Sequence, residues 1–348
     1  MAGKSKLSAT AVPIKEAVGK VIAHDMTEIR PGQYKGPAFK KGHIIQEGDL
    51  PHLRRLGKEH VFVLSIEPGQ MHEDDAALRL AEALAGPGVV FDHHPSEGKI
   101  SLKAAFRGLF KVNADALLSF NLVPDVTCAS RHNNTLVQAG DIVAATRVIP
   151  LLAEEKVVHE AVRIAQDAGG IFSVKEIYRP RTFIVITGNE VFHGLIEDKF
   201  APILRRKVQA FGCPISGIVF APDDRFLIAQ HITDALRKEA GLILVAGGMS
   251  VDPDDVSRTA ILDAGGEGMV YGTPVLPGAM FLYARISGTP VLGIPACVLF
   301  YNATVLDLVL PRVLAGEPVT RKDFAALAHG GLCLNCETCR FPICPFGK

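Results

Sequence analysis

The stretch GGMSVDPDDVS at 247–257 puts two glycines, two serines and three aspartates directly behind a strand-like apolar run, LILVAG at 242–247. Glycine allows tight turns in which backbone amides approach a ligand, and such amides favour an anion, above all where a helix begins. Carboxylates repel that anion but hold a hard cation such as Mg²⁺, which keeps several waters and bridges one or two carboxylates to phosphate oxygens. Three further loops carry related chemistry: TGNEVFHG at 187–194, APDDR at 221–225 and GIPAC at 293–297. Glycine amides beside Asp223, Asp224, Asp252, Asp254 and Asp255 suit a phosphorylated or nucleotide-like ligand with its counter-ion and do not suit a purely apolar one. A plainer role stays open for each acidic pair. Asp223 and either Asp254 or Asp255 precede helix-like segments, where aspartate caps the first amides. Neither GxGxxG after a strand nor GxxxxGK[ST] is present.

Regular elements must bring these loops together. TFIVIT (182–187), ISGIVFAP (215–222) and LILVAG are β-branched or buried runs of strand length. Between them, EDKFAPILRRKVQAFG (197–212) and DDRFLIAQHITDALRKEAG (223–241) have helical spacing, the second with a stripe of Phe226, Ile228, Ile232, Ala235 and Leu236. SRTAILDAG (257–265) predicts a short helix, MFLYARI (280–286) and PVLGIP (290–295) predict strands, and CVLFYNATVLDLVLPRVLAG (297–316) predicts one long apolar helix with Pro311 near its end. Alternating strands and helices imply an α/β fold: a doubly wound, mostly parallel sheet, with ligands beyond the carboxyl ends of its strands. All four loops fall at that end.

A smaller, mixed α/β N-terminal region precedes it. Short strands around glycine turns are expected over 12–29 and 40–66, with helices at Asp49–Leu56 and Asp74–Ala85. A loop-rich break follows at 86–98, then a β segment at 140–151 leading into a helix at 153–169. The expected divisions are a β-rich region at 1–72, a mixed α/β region at 73–178, the sheet domain at 179–318 and a cysteine-rich tail at 319–348.

Lys plus Arg and Asp plus Glu both number 37, so no basic surplus draws the chain to nucleic acid or an anionic membrane. No apolar run approaches the ~18 residues of a membrane span, and the first residues lack a signal-peptide core, which leads to the expectation of a cytoplasmic protein. Cys128, Cys213 and Cys297 are scattered, whereas the chain ends CLNCETCRFPICPFGK. The spacing C-x2-C-x2-C-x4-C at Cys333, Cys336, Cys339 and Cys344 suits tetrahedral Zn²⁺ or an iron–sulfur cluster, the Cys-Pro finish leaning to the latter. Ordinary thiols on a flexible tail are the alternative. His72, His93 and His94 are expected on the surface or in loops rather than as ligands.

The order TGNEV, APDD, GGMSVDPDDVS, at these separations, resembles the molybdopterin-binding domain shared by molybdenum-cofactor biosynthesis enzymes. LPGAM (276–280) and GIPAC (293–297) fall where the molybdenum-inserting branch, the MoeA and gephyrin type, has its proline–glycine turns, and AVGKVIAHDMTEI (17–29) is similar to that branch's opening segment. The resemblance is strong over 180–316 and slighter over 10–150. It implies molybdopterin molybdenumtransferase chemistry: adenylylated molybdopterin is bound, its pyrophosphate linkage is cleaved with Mg²⁺ help, and molybdate is inserted as AMP leaves. Asp223 and Asp255 would be the catalytic pair organising Mg²⁺. Gly247, Gly248 and Ser250, with Asp254 and Pro295, would bind the cofactor, and Thr187, Gly188 and Glu190 would form the facing wall. A homodimer with its site near the subunit interface is also implied.

Departures from the branch bear on activity. Ser250 or Asp252 stands where it has glycine, Pro295-Ala296-Cys297 replaces a PGNP turn, and Ala279 and Met280 stand where a substrate-facing lysine is expected. Molybdopterin binding survives such changes more readily than insertion, so a non-catalytic carrier or sensor is the rival reading. A nucleotide pyrophosphatase or amidase on the same domain is a weaker third.

Overall fold

The computed structural model describes residues 10–30, 34–63, 68–96 and 98–348. The chain divides into two compact units, 1–175 and 176–348.

The first unit holds two main apolar cores. One gathers Ile14, Ile22, Ile45 and Leu53 among two antiparallel strand pairs, Thr10–Pro13 with His60–Val63 and Met26–Arg30 with Tyr34–Phe39. The helix expected at Asp49–Leu56 forms as Leu50–Arg55 behind a 3₁₀ turn at Glu47–Asp49. The other core centres on Phe110, Phe120 and Phe172, under an antiparallel sheet ordered Val89–Phe91, Lys99–Ala104, Ile142–Val148, Val126–Ser130. Helices Glu73–Leu84 and Glu155–Asp167 pack on it, each within two residues of its expected bounds. The 86–98 stretch contains a strand, Val89–Phe91, too short for alternation to reveal. His72 corrects the surface expectation. It is 1% exposed, its Nε2 donates to the Ala23 carbonyl at 2.6 Å, and its Nδ1 accepts from the Asp74 amide to cap helix Glu73–Leu84. His93 and His94 are exposed.

The second unit is built on a six-stranded sheet ordered Ile215–Ala221, Thr182–Thr187, Leu242–Ala246, Thr289–Ile294, Leu282–Ile286, Glu267–Tyr271. The first four strands run parallel, and Leu282–Ile286 pairs antiparallel with the strand on each side of it. Side chains alternate between faces, so Ile184, Ile186, Leu242 and Leu244 meet helices Phe200–Gln209 and Val305–Leu314, while Phe183, Val185, Ile243 and Val245 meet helices Arg225–Arg237 and Ser257–Asp263. Both faces are covered, which is why the central strands read as unbroken apolar runs.

Two sequence expectations change, and one strand went unread. Phe226 leaves the predicted stripe: it is 72% exposed with the Arg225 guanidinium 5.1 Å from its ring, while Ile228, Ile232 and Ala235 supply the buried face. The long helix over 297–316 splits into a 3₁₀ turn at Ala296–Leu299 and a helix at Val305–Leu314, because Thr304 and Asp307 form a capping box that starts the helix anew. Strand Glu267–Tyr271 was hidden by a register shift between Glu267 and Val270, which breaks the period-two pattern. Residues 319–348 fold as part of this unit, with Phe324 and Phe346 buried in the core that also holds Leu244 and Leu306. Among the described residues no helix is long and apolar enough to cross a membrane.

Candidate functional site

Beyond the Leu242–Ala246 strand the chain turns through Gly247 and Gly248, with φ of +96° and +59°. A Cβ on Gly247 would run into the Thr187 carbonyl oxygen, and one on Gly248 would stand 2.6 Å from Ser257 Oγ. The protein's own packing therefore demands both glycines: strand end 187, strand end 246 and the first turn of helix Ser257–Asp263 meet at one point. Thr187 is buried there, its hydroxyl donating to the Ala246 carbonyl at 3.4 Å and lying 3.2 Å from Ser257 Oγ.

This turn borders a cavity of about 620 Å³ at the carboxyl ends of strands Leu242–Ala246 and Thr289–Ile294. Its walls are Gly247–Ser250 with Asp255, the loop Leu276–Met280, Pro295–Cys297 with Tyr301, and Leu332, Cys333 and Asn335. Among the described residues the lining contains no Lys, Arg or His, and its one carboxylate is Asp255. Most of the remaining surface is apolar, which suits a flat ring held by backbone groups, whereas a phosphate here needs a cation from outside.

Each wall is fixed from behind. Tyr271 donates from its hydroxyl to the Met249 carbonyl at 2.7 Å. Gly278, at φ +133°, lies where a Cβ would overlap Val305, so the Pro277 loop rests on the start of helix Val305–Leu314. Lys207 reaches the Asn302 carbonyl at 3.0 Å and Asp307 at 2.6 Å, securing the segment that carries Tyr301.

Of the residues singled out from sequence, Gly247, Gly248, Ser250, Asp255 and Pro295 line the cavity. Thr187 lies beneath it. Gly188, Glu190, Asp223 and Asp254 stand outside the lining, in the adjoining loops at the same end of the sheet. Asp223 and Asn189 are tied reciprocally, the Asn189 amide donating to Asp223 Oδ2 at 2.9 Å and the Asp223 amide to Asn189 Oδ1 at 3.2 Å. Helix capping falls to Asp224, which accepts from the Phe226 and Leu227 amides at 2.8 and 3.0 Å. Helix Ser257–Asp263 has no side-chain cap, and Asp255 instead accepts from the Asp252 amide at 3.0 Å. Asp223 thus serves the first amide of the short helix Asn189–Phe192, while Asp254 and Asp255 cap no helix.

Their charges act on one another. Burial pushes the Asp223 carboxyl above its usual value, and the negative charges of Glu190, Asp254 and Asp255 push it further, against the single Asn189 amide that lowers it. A divalent cation needs only one or two carboxylates when water and phosphate supply the rest. No group of three or more His, Cys, Asp or Glu among the described residues has the spacing of a formed metal site.

Sequence reasoning missed Tyr301 and the contribution of Leu332 and Asn335. Tyr301 lay inside a segment read as helix, where the Thr304-x-x-Asp307 box was the available signal. The other two reach the cavity through a parallel bridge between Leu276 and Leu332, which no local pattern encodes.

Comparison with known proteins gives two family matches. Residues 183–316 match the Probable molybdopterin binding domain, and residues 11–65 match a Domain of unknown function (DUF8806). A CinA-like protein of Sulfurihydrogenibium sp. is 29% identical over 91 residues, 26% of this chain and 22% of that protein. A Molybdenum cofactor biosynthesis bifunctional protein of Chlorobaculum tepidum is 29% identical over 97 residues, 28% of this chain and 31% of that one. The chain thus spans under a third of the length of these curated relatives. Among solved structures, MoaB of Thermus thermophilus is 20% identical with a TM-score of 0.34, covering 40% of this chain and 98% of its own. The moea protein of Pyrococcus horikosii is 14% identical with a TM-score of 0.33, covering 88% and 74%.

Proposed function

We propose that the second unit binds a molybdopterin-type ligand, with the pterin ring in the 620 Å³ cavity and its phosphate turned towards the acidic edge through a divalent cation. The observation that carries this reading is the placement of Asp255. It lines the cavity and also acts on Asp223, so the apolar chamber and the acidic edge share a boundary. The domain match over 183–316 supports the ligand class.

On that binding mode, adenylylated molybdopterin is the substrate: water attacks the phosphoanhydride, AMP leaves with the pterin keeping its own phosphate, and the two dithiolene sulfurs ligate molybdate as one of its oxygens departs with two protons as water. Asp223 and Asp255 would hold Mg²⁺, and the charge they held there would offset the negative charge of the phosphoanhydride and of the departing AMP. The chain's own groups then orient and enclose: Gly247, Gly248 and Ser250 border the ligand, while Met249, Leu276, Pro277 and Pro295 exclude water from one side of it. A homodimer and a molybdate partner follow from the resemblance to the molybdenum-inserting branch.

A second reading, a non-catalytic carrier or sensor, is favoured by one feature: Ala279 and Met280 line the cavity, and no cationic side chain does. One assay separates the two. Protein incubated with adenylylated molybdopterin, molybdate and Mg²⁺ releases AMP if the transferase reading holds, and Asp255→Ala suppresses that release. Tight molybdopterin binding with no AMP identifies the carrier. Undiminished release by Asp255→Ala removes the cation assignment.

A further inference from the structure

The four cysteines of 333–344 remain unused by the cavity chemistry, and the fold does not leave them on a loose tail. Main-chain hydrogen bonds dock the segment onto the Leu276 loop, with the Leu276 amide donating to the Gly331 carbonyl and the Cys333 amide to the Leu276 carbonyl, both at 2.8 Å. The far end is held by Phe346, 3% exposed in the apolar core, and by the Gly347 amide donating to the Gly330 carbonyl at 2.8 Å. Between these anchors the chain runs through turns and bends.

Cys333, Cys336, Cys339 and Cys344 all line a second cavity of about 80 Å³, closed on its other side by Phe300–Ala303. Cys333 and Cys344 are half-buried and pack against the apolar core, while Cys336 and Cys339 stand at the exposed rim. Arg340 is also in the wall. All seven cysteines are free, so no disulfide competes for these sulfurs. The two cavities share Tyr301, Cys333 and Asn335.

We infer that Cys333, Cys336, Cys339 and Cys344 form a thiolate-ligated metal centre, and that the bound metal fixes the wall which Leu332, Cys333 and Asn335 lend to the larger cavity. The thiols share a cavity but are not yet at ligand spacing. Metal entry must draw the four sulfurs together within the turns between the anchors, and each thiol that ligates gives up its proton. A tetrahedral zinc ion and an iron–sulfur cluster use the same four thiolates. The coupling to ligand binding rests on the molybdopterin reading above; the metal centre itself does not.

The test uses the full chain purified without oxygen, assayed for zinc, iron and acid-labile sulfide. One equivalent of zinc, or iron with matching sulfide, supports the centre and identifies which kind it is. The double variant Cys336→Ser/Cys339→Ser changes only exposed residues and should lose the metal while remaining folded. Apo protein reloaded with Zn²⁺, or with Fe²⁺ and sulfide, should exchange the Leu276 and Cys333 amides about tenfold more slowly, and the double variant should bind molybdopterin about tenfold more weakly. Failure to hold either metal after reloading overturns the proposal, as does metal binding that leaves exchange at those two amides unchanged. If the loaded wild-type chain holds metal and shows slowed exchange but binds no molybdopterin, the ligand reading fails and the metal centre stands.

Discussion

Asp223 and Asp323 are both partly buried carboxylates of the second unit, and their surroundings drive them in opposite directions. Burial alone would raise Asp323, but hydrogen bonds from Thr320 and Arg312 hold it down at about 2. Arg312 reaches Asp323 at 2.6 Å and Glu317 at 3.1 Å, with the guanidinium and Glu317 both buried, so this cluster is closed by its own cation. Around Asp223 the neighbouring charges are Glu190, Asp254 and Asp255, all negative, and the carboxyl is raised. The first cluster holds helix Arg321–Ala326 against the unit. The second repels itself, an arrangement that costs stability and makes sense at a binding edge.

The comparison can be broken at either end. The largest expected effect is on the closed cluster: Arg312→Ala strands Glu317 and Asp323 without their cation and should cost about 3–5 kcal/mol, read as a loss of thermal stability. Next comes Asp255→Ala, which should lower AMP release at least about 100-fold, the scale for removing one group that stabilises developing charge, with little change in melting temperature.

A smaller effect of opposite sign is expected at Asp223→Asn. The amide keeps an oxygen to accept from Asn189 and removes one of the repelling charges, so without Mg²⁺ the variant should melt above the wild type. Because the folded Asp223 carboxyl is raised, it holds its proton longer than the unfolded chain does. Its contribution to stability therefore falls as pH rises above the ordinary carboxylate value, and the variant's advantage should grow over that interval.

The smallest effect is the mirror case. Folded Asp323 is depressed from 3.8 to about 2, so its contribution is complete above 3.8 and disappears as pH falls through 2. The melting-temperature gap between wild type and Asp323→Asn should close over that interval.

Much of the sheet domain was legible because strands buried on both faces read as apolar runs and the intervening helices keep their spacing. The 99–139 stretch of the first unit gave no such signal. Its strands are short, and its core depends on Phe110 stacking against Phe172 with ring centroids 5.7 Å apart, a contact between distant positions. At the candidate site, the glycines and aspartates singled out from sequence lie in loops at one end of the sheet, yet their division of labour was invisible. Asp224 rather than Asp223 caps the helix, and Gly247 and Gly248 are required by Thr187 and Ser257 across the strand ends. Sequence shows which residues are present in a loop; only the packing shows which of them are already engaged.

The most direct measurement is molybdopterin affinity with and without Mg²⁺, for the wild type and for Asp223→Asn/Asp255→Asn. The account predicts that Mg²⁺ tightens binding to the wild type by about tenfold or more and leaves the double variant unchanged. Equal Mg²⁺ dependence in both proteins, or no binding to the wild type at all, would contradict it.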